Sequence, residues 1–189
     1  MPDSLPAAPA SPPARFSPAK IPAALPLLMA LLGLFTLLVP RTLRVNVTPS
    51  VPLGIYRIVE APARRGSLVE ICLPPGLASL ALRRGYTGHG PCPGGTRPLL
   101  KIALAFAGDR IVLTRLGVAK DGLLLPTSAP RSTDSRARPL PRLRLGLHRL
   151  PPGSVWLYGP HPRSFDSRVF GPVSIDLLRN ALAPLCTTP

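Results

Sequence analysis

The sequence predicts a mainly β domain that follows an N-terminal apolar segment. Short apolar or alternating runs, among them GIYRIVE, GSLVEICL, LLKIALAFAGDRIVLTRLGV and GSVWLYG, are bounded by glycine and proline, which is typical of strands joined by turns. The stretch VAKDGLLL contains Asp121-Gly122, a dipeptide that favours a two-residue hairpin. We expect a single short helix in this domain, over residues 174–182, with Ser174 as its N-cap.

The first 40 residues predict two further segments. Residues 1–20 are rich in proline and have little to bury, so we expect a disordered tail. Residues 21–40 carry no charge, and at about 1.5 Å per residue they match the thickness of a bilayer core, which predicts a transmembrane anchor. A cleavable signal peptide is the alternative, but no small-x-small cleavage site follows the run. Basic residues flank it on both sides, so charge does not define its orientation.

The chain as a whole is basic. Lys and Arg total 23 against 8 Asp and Glu, a net charge of +15, which can indicate nucleic acid, an anionic membrane or an acidic partner. The basic residues are scattered and nearly all arginine, so we expect no nucleic-acid partner. A solvated basic surface and contact with anionic lipid headgroups both remain open. We assign residues 41–183 to one domain, with a long exposed loop or an extended ribbon at 126–144, and residues 184–189 to a C-terminal tail.

The three cysteines give information about the cellular compartment of the protein and about metal binding. Cys72, Cys92 and Cys186 include no CxxC pair, so no zinc site is predicted, and no organic cofactor is implied. One interpretation is a disulfide between Cys72 and Cys92 that leaves Cys186 over. It would need an oxidising compartment and would place the domain in the periplasm. Unpaired buried thiols are the alternative.

Ser50 is a candidate nucleophile. It lies in NVTPSVPLGIYR between Pro49 and Pro52, ten residues after the apolar segment ends. A nucleophilic serine needs a base. The three histidines, His89, His148 and His161, lie in stretches rich in glycine, proline or arginine, and no GxSxG motif occurs. A Ser-His-Asp triad is therefore not expected.

Lysine is the other candidate base. Of the three lysines, Lys20 precedes the apolar segment, Lys120 adjoins the Asp-Gly turn, and Lys101 lies inside the apolar run PLLKIALAFAGD. Burial can lower a lysine pKa from about 10.4 toward ~7–8, where the amine accepts a proton near neutral pH. Arginine cannot be used in this way because it stays charged. A snorkelling or strand-edge lysine is the alternative.

Three motifs together indicate a family. NVTPSVPLGIYR, PLLKIALAFAGDRI and SFDSRVFGPV occur in this order after the apolar segment. They resemble the type I signal peptidase family, and in particular its conjugative-transfer, TraF-type branch. The resemblance covers residues 45–173. It implies a signal-peptidase-like β catalytic domain with one N-terminal transmembrane helix, held in the bacterial inner membrane with the catalytic domain in the periplasm.

The resemblance also implies roles for single residues. Ser50 matches the nucleophile and Lys101 the general base. The Ser50 amide and the Thr48 hydroxyl match the donors that stabilise the oxyanion, which is where donors contribute most. Asp109, after Gly108, is expected to be a turn residue rather than an acid catalyst.

Further residues match supporting positions. Ser164 matches a hydroxyl that orients the lysine, and Asp166 and Arg168 match a structural ion pair. Cys72 and Cys92 resemble a pair found in this branch. Two departures occur: Ala107 replaces the usual proline before Gly-Asp, and LYGPHPRS lacks the Gly-Asp-Asn of general signal peptidases, which favours the specialised branch over a housekeeping enzyme.

The predicted function is a membrane-anchored serine endopeptidase with a Ser50/Lys101 dyad. It would process exported precursors such as a conjugative pilin subunit or another transfer-apparatus protein. Its expected partners are that precursor, the lipid bilayer and components of the conjugation apparatus. Two alternatives are a non-catalytic basic scaffold protein of a secretion machine and a self-cleaving repressor of related fold. The apolar span and the lack of a DNA-binding helix pair argue against the repressor.

Overall fold

A computed structural model describes residues 24–188 of the chain. The tail predicted at residues 1–20, residues 21–23 of the predicted anchor, and Pro189 lie outside the described residues. The helices are α1 Ala24–Thr42, α2 Pro75–Arg84, α3 Ser167–Phe170 and the 3-10 turn η1 Ile175–Leu177. The strands are β1 Leu43–Asn46, β2 Gly54–Val59, β3 Leu68–Ile71, β4 Leu99–Phe106, β5 Arg110–Leu113, β6 Val118–Lys120, β7 Leu123–Leu124, β8 Gly146–Arg149, β9 Ser154–Tyr158, β10 Val173–Ser174 and β11 Leu178–Thr187.

Helix α1 covers most of the segment predicted as an anchor. It contains 19 residues, and Leu27, Leu28 and Met29 are all exposed. Among residues 24–188, no helix is long and apolar enough to cross a membrane. The anchor predicted at residues 21–40 is therefore not found within the described part of the chain.

The compact unit from Val39 onward is built on two antiparallel sheets. The larger has the strand order β1-β2-β11-β3-β4-β9-β10, and the smaller has the order β7-β6-β5-β8. Strands β4 and β5 connect the sheets through a turn in which Gly108 has φ +86°, a conformation that glycine adopts without strain. The prediction of a mainly β domain is confirmed.

Strand β4 shows why the sequence forms this sheet. Lys101, Ala103 and Ala105 are buried, and the residues between them are half-buried, as expected for a strand whose side chains alternate between two faces. Ala105 and Trp156 pack into a second core with Ile111 of the smaller sheet. Lys101 therefore lies on the same buried face as the small core residues of its strand.

Helices α2 and α3 were not predicted, and one helix was wrongly predicted. Helix α2 begins at Pro75 and ends at Arg84, and its C-cap Gly85 has φ +69°, so it carries the proline-start and glycine-stop signals of a helix. The helix predicted over residues 174–182 is wrong. Ser174 does accept a hydrogen bond from the Asp176 amide, but it caps only η1, and the chain then continues as β11.

Strand β11 also includes most of the C-terminal tail that was predicted at residues 184–189. It pairs with β2 on one side and β3 on the other. Hydrogen bonds to these two neighbouring strands outweigh the local helix propensity of the segment. It continues to Thr187. Residues 184–187, predicted as tail, therefore belong to the sheet.

Two local predictions agree with the structure. Asp121 and Gly122 have φ values of 52° and 81° and join β6 to β7, as a type I′ hairpin requires. Residues 126–144 contain no regular helix or strand, apart from a single bridge between Thr133 and Pro139.

Candidate active site

A cavity of about 570 Å³ brings together the side chains that the sequence nominated for chemistry. Thr48 and Ser50 reach it from the loop after β1, Lys101 from the start of β4, and Ser164 and Arg168 from the segment after β9. A concave site with a few convergent polar groups is typical of a catalytic or binding site.

The loop that presents Ser50 is held by Asn46, a residue that sequence reasoning missed. The Asn46 side chain is buried, and its Nδ2 donates to the carbonyl oxygens of Thr48, Val51 and Pro52 at 2.8, 3.0 and 2.9 Å. Its Oδ1 accepts from the Thr48 amide at 3.1 Å. One amide group thus fixes the loop on both sides of Ser50, while Val51 packs into the core. Asparagine often bonds nearby backbone in turns, so the residue type was a usable signal.

Thr48 is exposed, and its hydroxyl is engaged in this arrangement. Its Oγ1 donates to Asn46 Oδ1 at 2.9 Å. A hydroxyl has one proton, so this proton must rotate away from Asn46 before it can serve an oxyanion. The Thr48 amide would keep its own bond to Asn46, so such a rotation leaves the loop anchored.

Lys101 has the environment of a candidate base. Its side chain is 2% exposed, and burial lowers its pKa from 10.5 to about 8. Asp166 raises the pKa and Arg168 lowers it, both as smaller electrostatic effects. The dominant cause is the removal of water from around the charged ammonium. The amine is thus partly neutral at slightly alkaline pH.

Ser50 and Lys101 line the same cavity, but among residues 24–188 no hydrogen bond joins them. Lys101 Nζ donates instead to the carbonyl oxygen of Leu100 at 3.0 Å. Catalytic hydrogen bonds are often long or misaligned before substrate binds. The arrangement is therefore compatible with a Ser50/Lys101 dyad, although the hydrogen bond between the two side chains is not formed.

Gly159 allows two parts of the site to approach each other, and it too was missed. A Cβ atom at this position would lie 2.3 Å from Ser164 Oγ and 2.9 Å from the Ser50 carbonyl oxygen. Strands β1 and β9 stand first and sixth in the sheet order, so this contact requires the sheet to curve back on itself. A side chain at position 159 would push the loop that contains Ser50 away.

Ser164 completes this side of the cavity. It is buried, and its Oγ has no hydrogen-bond partner within the described chain. An unsatisfied buried hydroxyl costs free energy and therefore calls for a functional explanation. An orienting contact to the Lys101 amine, formed once side chains adjust, would satisfy it.

Asp166 and Arg168 form a buried ion pair beneath the site. Arg168 Nε and Nη2 contact the two carboxylate oxygens of Asp166 at 2.8 and 2.7 Å. Asp166 also accepts from the Gly159 amide at 2.9 Å, and Arg168 donates to the Gly159 and His161 carbonyl oxygens at 3.0 Å. These bonds fix the backbone after β9.

The remaining candidates lie outside the nucleophile region. Asp109 binds Arg65 through two contacts of 2.7 Å and accepts from the Phe106 amide at 2.9 Å, and these bonds hold its pKa at about 2. It is therefore a turn residue. A disulfide joins Cys72 to Cys92, with a Cα–Cα distance of 5.5 Å, and Cys186 is free and exposed. Among residues 24–188, no group of three or more metal-ligating side chains occurs.

Comparison with known proteins defines the class. A profile of the family described as signal peptidase, peptidase S26, matches residues 19–183. The chain belongs to this family, as its three motifs predicted.

Three relatives indicate which branch of the signal peptidase family this chain resembles. The chain is 42% identical to the probable conjugal transfer protein TraF of Sinorhizobium fredii over 134 residues, 69% of each chain. It is 38% identical to the plasmid transfer protein TraF of Escherichia coli over 146 residues, 76% of this chain and 82% of the relative. The conjugal transfer protein TraF of Agrobacterium fabrum is 38% identical over 148 residues, with the same coverage.

Proposed function

We propose that this chain is a serine endopeptidase in which Ser50 is the nucleophile and Lys101 the general base. The observation that supports it most strongly is the buried Lys101, whose pKa is lowered to about 8 in a cavity that it shares with Ser50. A lysine can act as a base only where burial or neighbouring charges depress its pKa in this way.

The proposed reaction is an acyl transfer to Ser50 followed by release of the acyl group. Neutral Lys101 takes the proton of Ser50 Oγ as this oxygen attacks the scissile carbonyl. The protonated lysine then gives the proton to the leaving amine, and an acyl-enzyme remains. Water, activated by the same amine, releases the product by hydrolysis. An amine of the substrate's own chain would instead give a cyclic product.

Backbone and hydroxyl donors would stabilise the oxyanion. The Ser50 amide and the Thr48 hydroxyl are the proposed donors, the latter after it rotates from Asn46. The Ser50 amide needs no reorganisation in the transition state, which makes such a donor effective, whereas the Thr48 hydroxyl must first give up its bond to Asn46. Ser164 would orient the lysine, and the Asp166–Arg168 pair would support the segment that contains it.

Precursors of a conjugation apparatus are the proposed substrates. The TraF relatives are named for plasmid or conjugal transfer, which supports a role in that process and a precursor such as a pilin subunit. The Cys72–Cys92 disulfide supports an oxidising compartment such as the periplasm. Attachment to the inner membrane by residues 21–40 stays a prediction from the sequence.

The test is processing of a candidate prepilin by membranes that contain the full chain. We expect Ser50→Ala and Lys101→Ala to abolish processing while remaining folded. A serine-directed acylating probe should label the wild type at Ser50 and should fail to label the Lys101→Ala variant at neutral pH. Ser67→Ala, at a turn away from the cavity, is the matched control and should keep full activity.

Two results would contradict the proposal. Unchanged processing by both variants would contradict the proposed substrate, because another peptidase would then process that precursor. If Ser50 also resists acylation, the chain is better described as a basic scaffold protein with an idle dyad.

A further inference from the structure

The cavity holds more positive charge than its own carboxylates neutralise. Asp134 is the carboxylate among its lining residues, and it is already bound by Arg138 Nε at 2.7 Å and the Tyr86 hydroxyl at 2.5 Å. Arg168 is neutralised by Asp166. Both carboxylates are therefore already paired with arginines.

Three other arginines line the same cavity: Arg97, Arg131 and Arg163. Within the described residues, no carboxylate pairs with any of them. Arg97 makes one long bond, from Nε to the His89 carbonyl oxygen at 3.3 Å. Arg131 is partly buried, and a partly desolvated guanidinium without a counter-ion is unfavourable unless an anion joins it.

We propose that Arg97, Arg131 and Arg163 form a carboxylate-binding subsite that selects substrates with an acidic group near the scissile bond. The inference rests on the proposed peptidase function and adds a substrate preference to it. A planar guanidinium binds a carboxylate through two parallel hydrogen bonds. The carboxylate can belong to an Asp or Glu side chain, or to the C-terminus of the substrate.

The position of these arginines is compatible with catalysis. The ionised groups that act on the Lys101 pKa are Asp166 and Arg168, and the three cavity arginines are not among them. A carboxylate paired with these guanidinium groups would have its negative charge offset by theirs, which limits its effect on the Lys101 pKa. The base would thus keep its lowered pKa while substrate is bound.

The experiment measures peptide binding to the full chain with Ser50→Ala, so it does not depend on turnover. The probes are rhodamine-labelled, alanine-rich peptides in two matched pairs: one pair with Glu or Gln at a single position, the other with a free or an amidated C-terminus. We expect fluorescence anisotropy to show about three- to ten-fold tighter binding of the acidic member of at least one pair. The pair that responds identifies the source of the carboxylate.

Variants then test which cations are responsible. Arg131→Gln should remove most of the preference, and Arg97→Gln or Arg163→Gln part of it. Arg142→Gln is the matched control, since it is exposed in the same loop, outside the cavity lining, and it changes the charge equally. It should leave the preference intact.

Several outcomes would overturn the inference. The first is equal affinity for both members of each peptide pair, and the second is that no peptide binds. The third is an equal loss of the acidic preference in Arg131→Gln and Arg142→Gln, because the preference would then come from the general basic charge of the chain. The proposed function is judged separately, by acylation of Ser50 in the wild type. The subsite can therefore fail while the peptidase assignment stands.

Discussion

Replacing Lys101 by methionine should make the protein more stable at neutral pH. Holding the Lys101 pKa at about 8 instead of 10.5 costs the folded state roughly 3 kcal/mol at pH 7, because the unfolded chain binds the proton more tightly. Methionine has a similar volume and no charge. The lost bond to the Leu100 carbonyl oxygen offsets about 1 kcal/mol, which leaves a gain of about 2 kcal/mol.

The sign of the pH dependence is also fixed. Below pH 8 lysine is protonated in both states, and the full penalty applies. Between pH 8 and 10.5 the folded protein loses the proton first, so the wild type regains stability as pH rises. Above 10.5 the penalty is gone. The advantage of Lys101→Met should therefore be constant below pH 8 and shrink between pH 8 and 10.5.

Urea unfolding can measure this difference through Trp156, the single tryptophan, which is fully buried. Lys120→Met is the matched control, because Lys120 pairs with Asp121 in a turn and should gain nothing. The reasoning is refuted if Lys101→Met is no more stable than the wild type at pH 7, or if its advantage does not change with pH. Lys101→Met must also abolish acylation of Ser50 if the amine is the base.

Three further predictions concern the supports of the site. Gly159→Ala should abolish labelling of the nucleophile and cost about 1–3 kcal/mol through overpacking, whereas Gly76→Ala in α2, with open space around it, should leave labelling unchanged. Asn46→Ala should lower stability by about 2 kcal/mol, because it leaves loop amides and carbonyls without partners, and should slow acylation; wild-type rates would contradict this role. Reducing the Cys72–Cys92 disulfide, which links residues 20 apart, should cost about 3 kcal/mol in urea unfolding, and an unchanged midpoint would refute it.

The candidate nucleophile and the candidate base could be selected from the sequence because their local sequences are unusual. A lone lysine inside an apolar strand and a serine between two prolines are visible without any structure. Gly159 could not be found in this way, since its role depends on two segments that meet only when the sheet curves. The three cavity arginines were equally hidden, because a sequence with 23 basic residues does not show which of them lack a carboxylate.

The buried ion pair limits how far its own charges shift the Lys101 pKa. Asp166 alone would raise the lysine pKa, and Arg168 alone would lower it, but a lone buried charge of either sign is costly. Bound together at 2.7 Å, the two largely cancel at Nζ, and burial decides the pKa. Removing Arg168 should therefore impair catalysis by leaving Asp166 free to stabilise the protonated lysine. Removing Asp166 should act mainly on stability, by leaving a buried guanidinium unpaired, so the two variants should fail for different reasons.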